Sequence, residues 1–95
     1  MNTNYTNLVI DCLSSVNEDL PTDLRVIVSR GTIVAGERSE IDSLSTINLA
    51  VAIEEAIQEK LSLRIDIIDD GLMAEGGPPF ETVEQLGLWL EKVLA

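Results

Sequence analysis

The chain contains no histidine in its 95 residues. That absence removes Ser-His-Asp and Cys-His catalytic arrangements and the usual histidine metal ligands. It also removes the side chain whose ordinary pKa lies nearest neutrality, so the domain is expected not to be an enzyme. Cysteine is almost as scarce. Cys12 stands alone, which excludes an internal disulfide and fits a reducing cytoplasm. Its helical spacing with Leu8, Val9 and Val16 reads as a buried structural thiol. Aromatic residues are only 3% of the chain (Tyr5, Phe80 and Trp89), so the core must be built from Leu, Ile, Val and Ala. No stretch approaches the ~18 apolar residues of a membrane span. The start lacks the Lys or Arg before a long apolar run that marks a signal peptide. Basic residues are few: six Lys and Arg face seventeen Asp and Glu, a formal charge of −11. Such a balance repels nucleic-acid phosphates and anionic membranes. It attracts proteins that present Lys and Arg patches.

What is present is an apolar fraction of 45%, enough for one domain over residues 1–95 with a single modest core. Roughly Thr3 to Leu20 reads as an amphipathic helix with Tyr5, Leu8, Val9, Cys12, Leu13, Val16 and Leu20 on one face. Pro21 stops or redirects it. From Thr22 to Ile41 the pattern is that of a long loop with apolar anchors. Leu24, Val26 and Val28 alternate like a short strand, and a helical turn fits within this stretch. Asp42 or Ser43 opens a second helix running to about Leu61, since both residue types cap helix N-termini. Leu63, Ile65 and Ile67 then alternate in an extended segment expected to feed the core. Asp69 or Asp70 is expected to cap a very short third helix holding Leu72 and Met73. Gly76-Gly77-Pro78-Pro79 enforces a loop. Thr82 and Gln85 have capping-box spacing for a last helix, with Val83, Leu86, Leu90, Val93 and Leu94 on its buried side.

The second helix carries two apolar faces. Leu49, Ile53, Ile57 and Leu61 recur every four residues and are expected to face the core. Leu44, Ile47 and Val51 lie on roughly the opposite side, continued by Glu54, Glu55, Gln58 and Glu59. A strip of Leu, Ile and Val bordered by carboxylates reads as a docking face, apolar at its centre and charged around it. The competing reading folds the loop from Pro21 to Ile41 over these residues. The helix also begins at a serine. A hydroxyl there is commonly only a cap, yet free N–H groups and the positive dipole end equally suit an attached phosphate.

With Asp42-Ser43-Leu44 at the start of a helix reaching Ile53-Glu54-Glu55, and Thr82-Val83-Glu84-Gln85-Leu86 opening the last one, the chain resembles the acyl carrier protein family. The resemblance covers nearly the whole chain apart from Thr22 to Glu40. It implies an all-α, four-helix acyl-carrier-like bundle: three longer helices, one short third helix and a long loop between the first two. It further implies 4′-phosphopantetheine attached to Ser43, flanked by Asp42 and Leu44, with a docking face of Leu44, Ile47, Val51, Glu54, Glu55 and Glu59. The implied partners are a phosphopantetheinyl transferase and acyl-activating and acyl-transferring enzymes with basic docking patches, met by a monomeric carrier holding acyl groups as thioesters. Glu40-Ile41 departs from the glycine common before the motif. Ser45 and Asn48 replace acidic residues usual in carriers of fatty acid synthesis. Both departures point to a specialised carrier in lipid, polyketide or cell-envelope and lipopolysaccharide pathways.

A peptidyl or aminoacyl carrier would use the same serine and arm, and an unmodified acidic interaction module would use the same face. Two other motifs fail. Asp66 to Gly77 lacks the terminal glutamate of a calcium loop and has Ile68 at a ligand position. Gly31 to Gly36 leads into Glu37-Arg38 without the lysine and hydroxyl of a phosphate-binding loop.

Overall fold

In the computed structural model, which describes residues 5–94, the apolar spacing of the first segment closes into α1, Tyr5–Glu18. Val9 and Leu13 are fully buried and Thr6 is buried beside them, while Tyr5, Leu8, Ile10, Cys12 and Val16 pack around their edge. The expected start at Thr3 lies outside the described residues. Pro21 sits after the helix end and opens a single 3-10 turn, Thr22–Leu24. Asn17 then ties down the departing chain. Its side chain donates to the Val26 carbonyl at 3.0 Å and accepts the Val26 N–H at 2.9 Å.

Alternation in the long loop does not make a strand. Leu24 is exposed, and Val26 and Val28 are only half-buried. The loop finds its backbone partners far away in sequence. Val34 and Ala35 N–H donate to the Glu81 carbonyl at 2.7 and 3.2 Å, Val83 N–H to Thr32 at 3.0 Å, and Glu84 N–H to Arg30 at 2.9 Å. An isolated antiparallel bridge joins Ile33 to Thr82 within this pairing. The result is that Val34, Ala35 and Ile41 reach the core.

Helix α2 spans Ser43–Leu61, with Asp42 as its N-cap and Ser62 closing it in a left-handed conformation at φ 54°. Leu49, Ala50, Ile53 and Ile57 are buried, but Leu61 is 41% exposed and does not complete the expected stripe. Each four-residue step rotates about 40° around a helix of 3.6 residues per turn, so three steps from Leu49 carry Leu61 out of the inward arc. After α2, Ile67 is fully buried and Ile65 half-buried, while Leu63 stays exposed, contrary to expectation.

The short helix, Ile68–Leu72, is a single wide turn closed by Met73 N–H donating to the Ile68 carbonyl at 2.7 Å. Its cap is neither Asp69 nor Asp70. Asp66 Oδ1 accepts the Asp69 N–H at 2.9 Å and the Asp66 carbonyl accepts the Asp70 N–H at 3.1 Å. The turn begins directly after the buried Ile67 and spans only five residues, which leaves Met73 beyond it and 72% exposed. Gly71 lies flat against the Phe80 ring, where a Cβ would come within 2.9 Å of Cε2. Phe80 in turn stacks at a tilt on Trp89, centroids 5.2 Å apart.

Helix α3, Val83–Val93, starts at the expected capping box: Gln85 N–H donates to Thr82 Oγ1 at 3.1 Å, and Gln85 Oε1 accepts the Thr82 and Glu81 N–H groups at 3.3 and 2.8 Å. Val83, Leu86 and Leu90 are buried and Leu94 half-buried. Val93 is exposed instead, because it sits about 50° around the helix from the mean direction of those three buried residues. Helix α1 packs against both α3 and α2. The three longer helices and the short one thus form a small helical bundle. Among the described residues no helix is long and apolar enough to cross a membrane.

The α1–α3 contact is tightest where Thr6 meets Gly87. A Cβ at Gly87 would lie 2.4 Å from Thr6 Oγ1 and 2.8 Å from both Thr6 Cα and N. The hydroxyl could rotate away, but the backbone atoms could not. Gly87→Ala is therefore expected to cost roughly 2 kcal/mol, despite its better helix propensity. Urea denaturation measures this, and an unchanged or raised midpoint would contradict the contact.

Candidate functional site

The start of α2 is built by three residues with separate tasks. Asp42 takes the cap: its Oδ1 accepts the Ser45 N–H at 2.7 Å, and its carbonyl accepts the Thr46 N–H at 2.9 Å. The Thr46 hydroxyl lies 2.9 Å from the Val34 carbonyl and 3.1 Å from the Asp42 carbonyl, tying the first turn to the long loop. Ser45 is buried beneath them. With capping assigned to Asp42, the exposed Ser43 hydroxyl has no hydrogen-bond partner among the described residues. The Ser43 and Leu44 N–H groups are likewise unpaired among those residues.

The approach to this turn is held as firmly. Ser39 Oγ donates to the Ile41 carbonyl at 2.8 Å. Glu40 closes the loop on both sides of its own backbone, with its N–H donating to the Ile33 carbonyl at 2.7 Å and its carboxylate accepting the Ile33 N–H at 2.8 Å. Glu40 therefore has a local structural task.

The second apolar face of α2 is open to solvent. Leu44, Ile47 and Val51 are 67%, 43% and 38% exposed, so the loop does not fold over them. Beside Ser43 an open groove of about 460 Å³ runs between Ala35, Ile41, Thr46 and Ile47 on one side and Leu72, Met73 and Pro78 on the other. The Met73 and Pro78 wall escaped sequence reasoning, because only folding brings residues 72–78 next to Ser43. The core beneath is closed: the space between Val34, Leu49, Ala50, Leu72 and Phe80 amounts to about 10 Å³.

The three carboxylates read together from the sequence are separated by the structure. Glu55 and Glu59 are exposed on the outer side of α2. Glu54 is half-buried and its Oε2 accepts the Ile67 N–H at 2.8 Å, bracing the approach to the short helix. Among the described residues no group of carboxylates and thiols is arranged to hold a metal ion. Cys12, far along α1, is half-buried rather than buried, and burial pushes its thiol pKa up.

Two expectations follow from these contacts. Glu54→Ala should destabilise the fold by about 1.5 kcal/mol, the usual size of a hydrogen bond to a charged group. Glu55→Ala and Glu59→Ala should stay within ~0.5 kcal/mol of wild type. Denaturant midpoints of the three variants check this, and equal effects would contradict the assignment. The second concerns pH. Donation from the Ser45 backbone N–H, reinforced by the Ser45 side chain, holds the Asp42 carboxyl below its ordinary range. Its stabilising contribution is therefore present above the ordinary carboxylate pKa and lost as pH falls through the lowered one. Asp69 is shifted the other way, first by the charge of Asp66, then by the hydrogen bond to it, burial and the charge of Asp70. Its ionisation weakens the short helix, so acidification through its raised pKa tightens that turn. Carboxyl carbon NMR should show Asp69 protonating well before Asp42 on acidification; the reverse order would contradict both.

In comparisons with known proteins, no family model, no curated protein and no solved structure matches this chain.

Proposed function

We propose that the protein is an acyl carrier protein that holds acyl groups on a 4′-phosphopantetheine arm attached to Ser43. The observation that carries this reading is an exposed serine hydroxyl relieved of capping by Asp42, adjoining an uncovered strip of Leu44, Ile47 and Val51. The residues present fit the group. Ser43 Oγ supplies the ester oxygen, and the unpaired N–H groups of Ser43 and Leu44 at the positive end of α2 suit a phosphodiester. Asp42 turns its carboxylate onto the Ser45 N–H, which satisfies its charge locally. When bound, the arm supplies a thiol that carries the acyl group as a thioester.

In this reading the chain performs no bond chemistry. Ser43 anchors the arm, Asp42 fixes the helix turn that presents it, and Leu44, Ile47 and Val51 receive the partner. The partners are a phosphopantetheinyl transferase and enzymes that load and unload acyl groups, in a specialised lipid, polyketide or cell-envelope pathway of the cytoplasm. Incubation of the chain with coenzyme A and a broad-specificity transferase should add one phosphopantetheine by intact mass, and Ser43→Ala should abolish the addition. Failure with several transferases would overturn the proposal and leave an unmodified interaction module.

A further inference from the structure

Helix α3 has a second face. Val83, Leu86, Gly87 and Leu90 are buried, and at about 100° per residue Gln85, Leu88, Trp89 and Lys92 gather on the opposite side. Leu88 is 58% exposed and Trp89 half-buried. The six-membered ring of Trp89 packs inward, its Cη2 3.4 Å from where a Cβ on Gly71 would stand, and the indole leans on Phe80. No buried side-chain nitrogen or oxygen among the described residues lacks a partner. The Trp89 indole N–H makes no hydrogen bond among those residues, so it reaches solvent. This face and the Pro79–Phe80 segment border an open groove of about 520 Å³. Its lining shares only Pro78 with the groove beside Ser43.

The unpaired side-chain groups along this groove are donors. Gln85 Oε1 is taken by the Glu81 and Thr82 N–H groups, which leaves its amide NH2 free beside the Trp89 N–H and the Lys92 ammonium. The carboxylate in the lining, Glu81, is paired with Arg38 at 3.6 Å. Lys92 has no counter-ion among the described residues. On a chain of charge −11, this groove therefore offers an uncompensated positive charge next to apolar surface. We propose that it binds a flat aromatic carboxylate, with the carboxylate on Lys92 and the ring system against Leu88, Trp89 and Pro79. A carboxylate gives the ammonium the charge-assisted bond that it lacks. An aromatic body suits an indole that already takes one tilted ring contact from Phe80. Seven residues of helix separate Gln85 from Lys92, so the polar ends of the face lie about 10 Å apart, the length of a substituted bicyclic ring system. The proposal is independent of the carrier reading of Ser43.

Trp89 is the single tryptophan of the chain, so its indole N–H gives one isolated peak in a proton–nitrogen correlation spectrum. The test titrates the full chain with 2-naphthoate at ~0.15 M salt, where the screening length of about 8 Å mutes the charge of distant carboxylates. The indole peak should shift to saturation, with the backbone shifts centred on Leu88, Trp89 and Lys92. The amide 2-naphthamide keeps the ring system without the charge and should bind about threefold more weakly, the size of one exposed ion pair. Lys92→Gln should weaken naphthoate by that factor and leave naphthamide unchanged, which abolishes the preference. Leu88→Ser should weaken both ligands about fivefold. Both positions are exposed, and the same spectra show that each variant keeps its fold. Four results would each overturn the proposal: no saturable indole shift up to ~10 mM naphthoate, shifts centred on Leu44, Ile47 and Val51 instead, naphthamide binding as tightly as naphthoate, or a preference for naphthoate that survives Lys92→Gln.

Discussion

The pairing of Arg30–Ala35 with Glu81–Glu84 is the contact on which the rest of the structure depends. Four backbone hydrogen bonds cross from the long loop to the entrance of α3, and their sequence separation makes them the costliest to form and the most restrictive once made. They place Val34 in the core with its carbonyl facing the Thr46 hydroxyl. Through Thr46 the first turn of α2 is referenced to α3 rather than left to its own cap. The turn carrying Ser43 is therefore rigid on two sides, although the residues leading to it contain no regular secondary structure between Leu24 and Ser43.

Rigidity at that point has a chemical meaning. A serine that caps its own helix uses its oxygen internally, and modification would remove the cap. Here Asp42 performs that task one residue earlier, and its lowered pKa reflects how well the Ser45 N–H meets its charge. Change at Ser43 Oγ can then proceed without loosening the helix that presents it.

The sequence was most legible where a local rule acts alone. The Thr82–Gln85 capping box, the span of α2 and the buried Val9 and Leu13 all follow from nearest-turn spacing. It was least legible where distant contacts choose between local options. Neither Asp69 nor Asp70 caps the short helix; Asp66 accepts the Asp69 N–H while Ile67 is buried, and no local pattern carries that combination. Glu54 resembles Glu55 in sequence but finds a backbone N–H thirteen residues away. Leu61 was misplaced for a geometric reason, since repeated four-residue steps drift around a helix and three of them leave the inward arc, whereas Val93 lies at the edge of the arc in the last position of α3. Of the candidate site, Asp42, Ser43 and the apolar strip were readable, whereas the wall of Leu72, Met73 and Pro78 exists only in three dimensions.

The closed core sets terms for any apolar guest. The space between α2 and the short helix, about 10 Å³, holds at most one water-sized probe. To admit an alkyl chain, Leu72 would have to leave Phe80, and Gly71 would lift from the ring it lies against. The work of that separation opposes the gain from burying each methylene, about 0.8 kcal/mol. A short alkyl chain would stay in water at the surface, and entry would become favourable only above a threshold length. Such an interior sorts apolar guests by size alone, closed to small ones and yielding only to those whose burial outweighs the cost of parting α2 from the short helix.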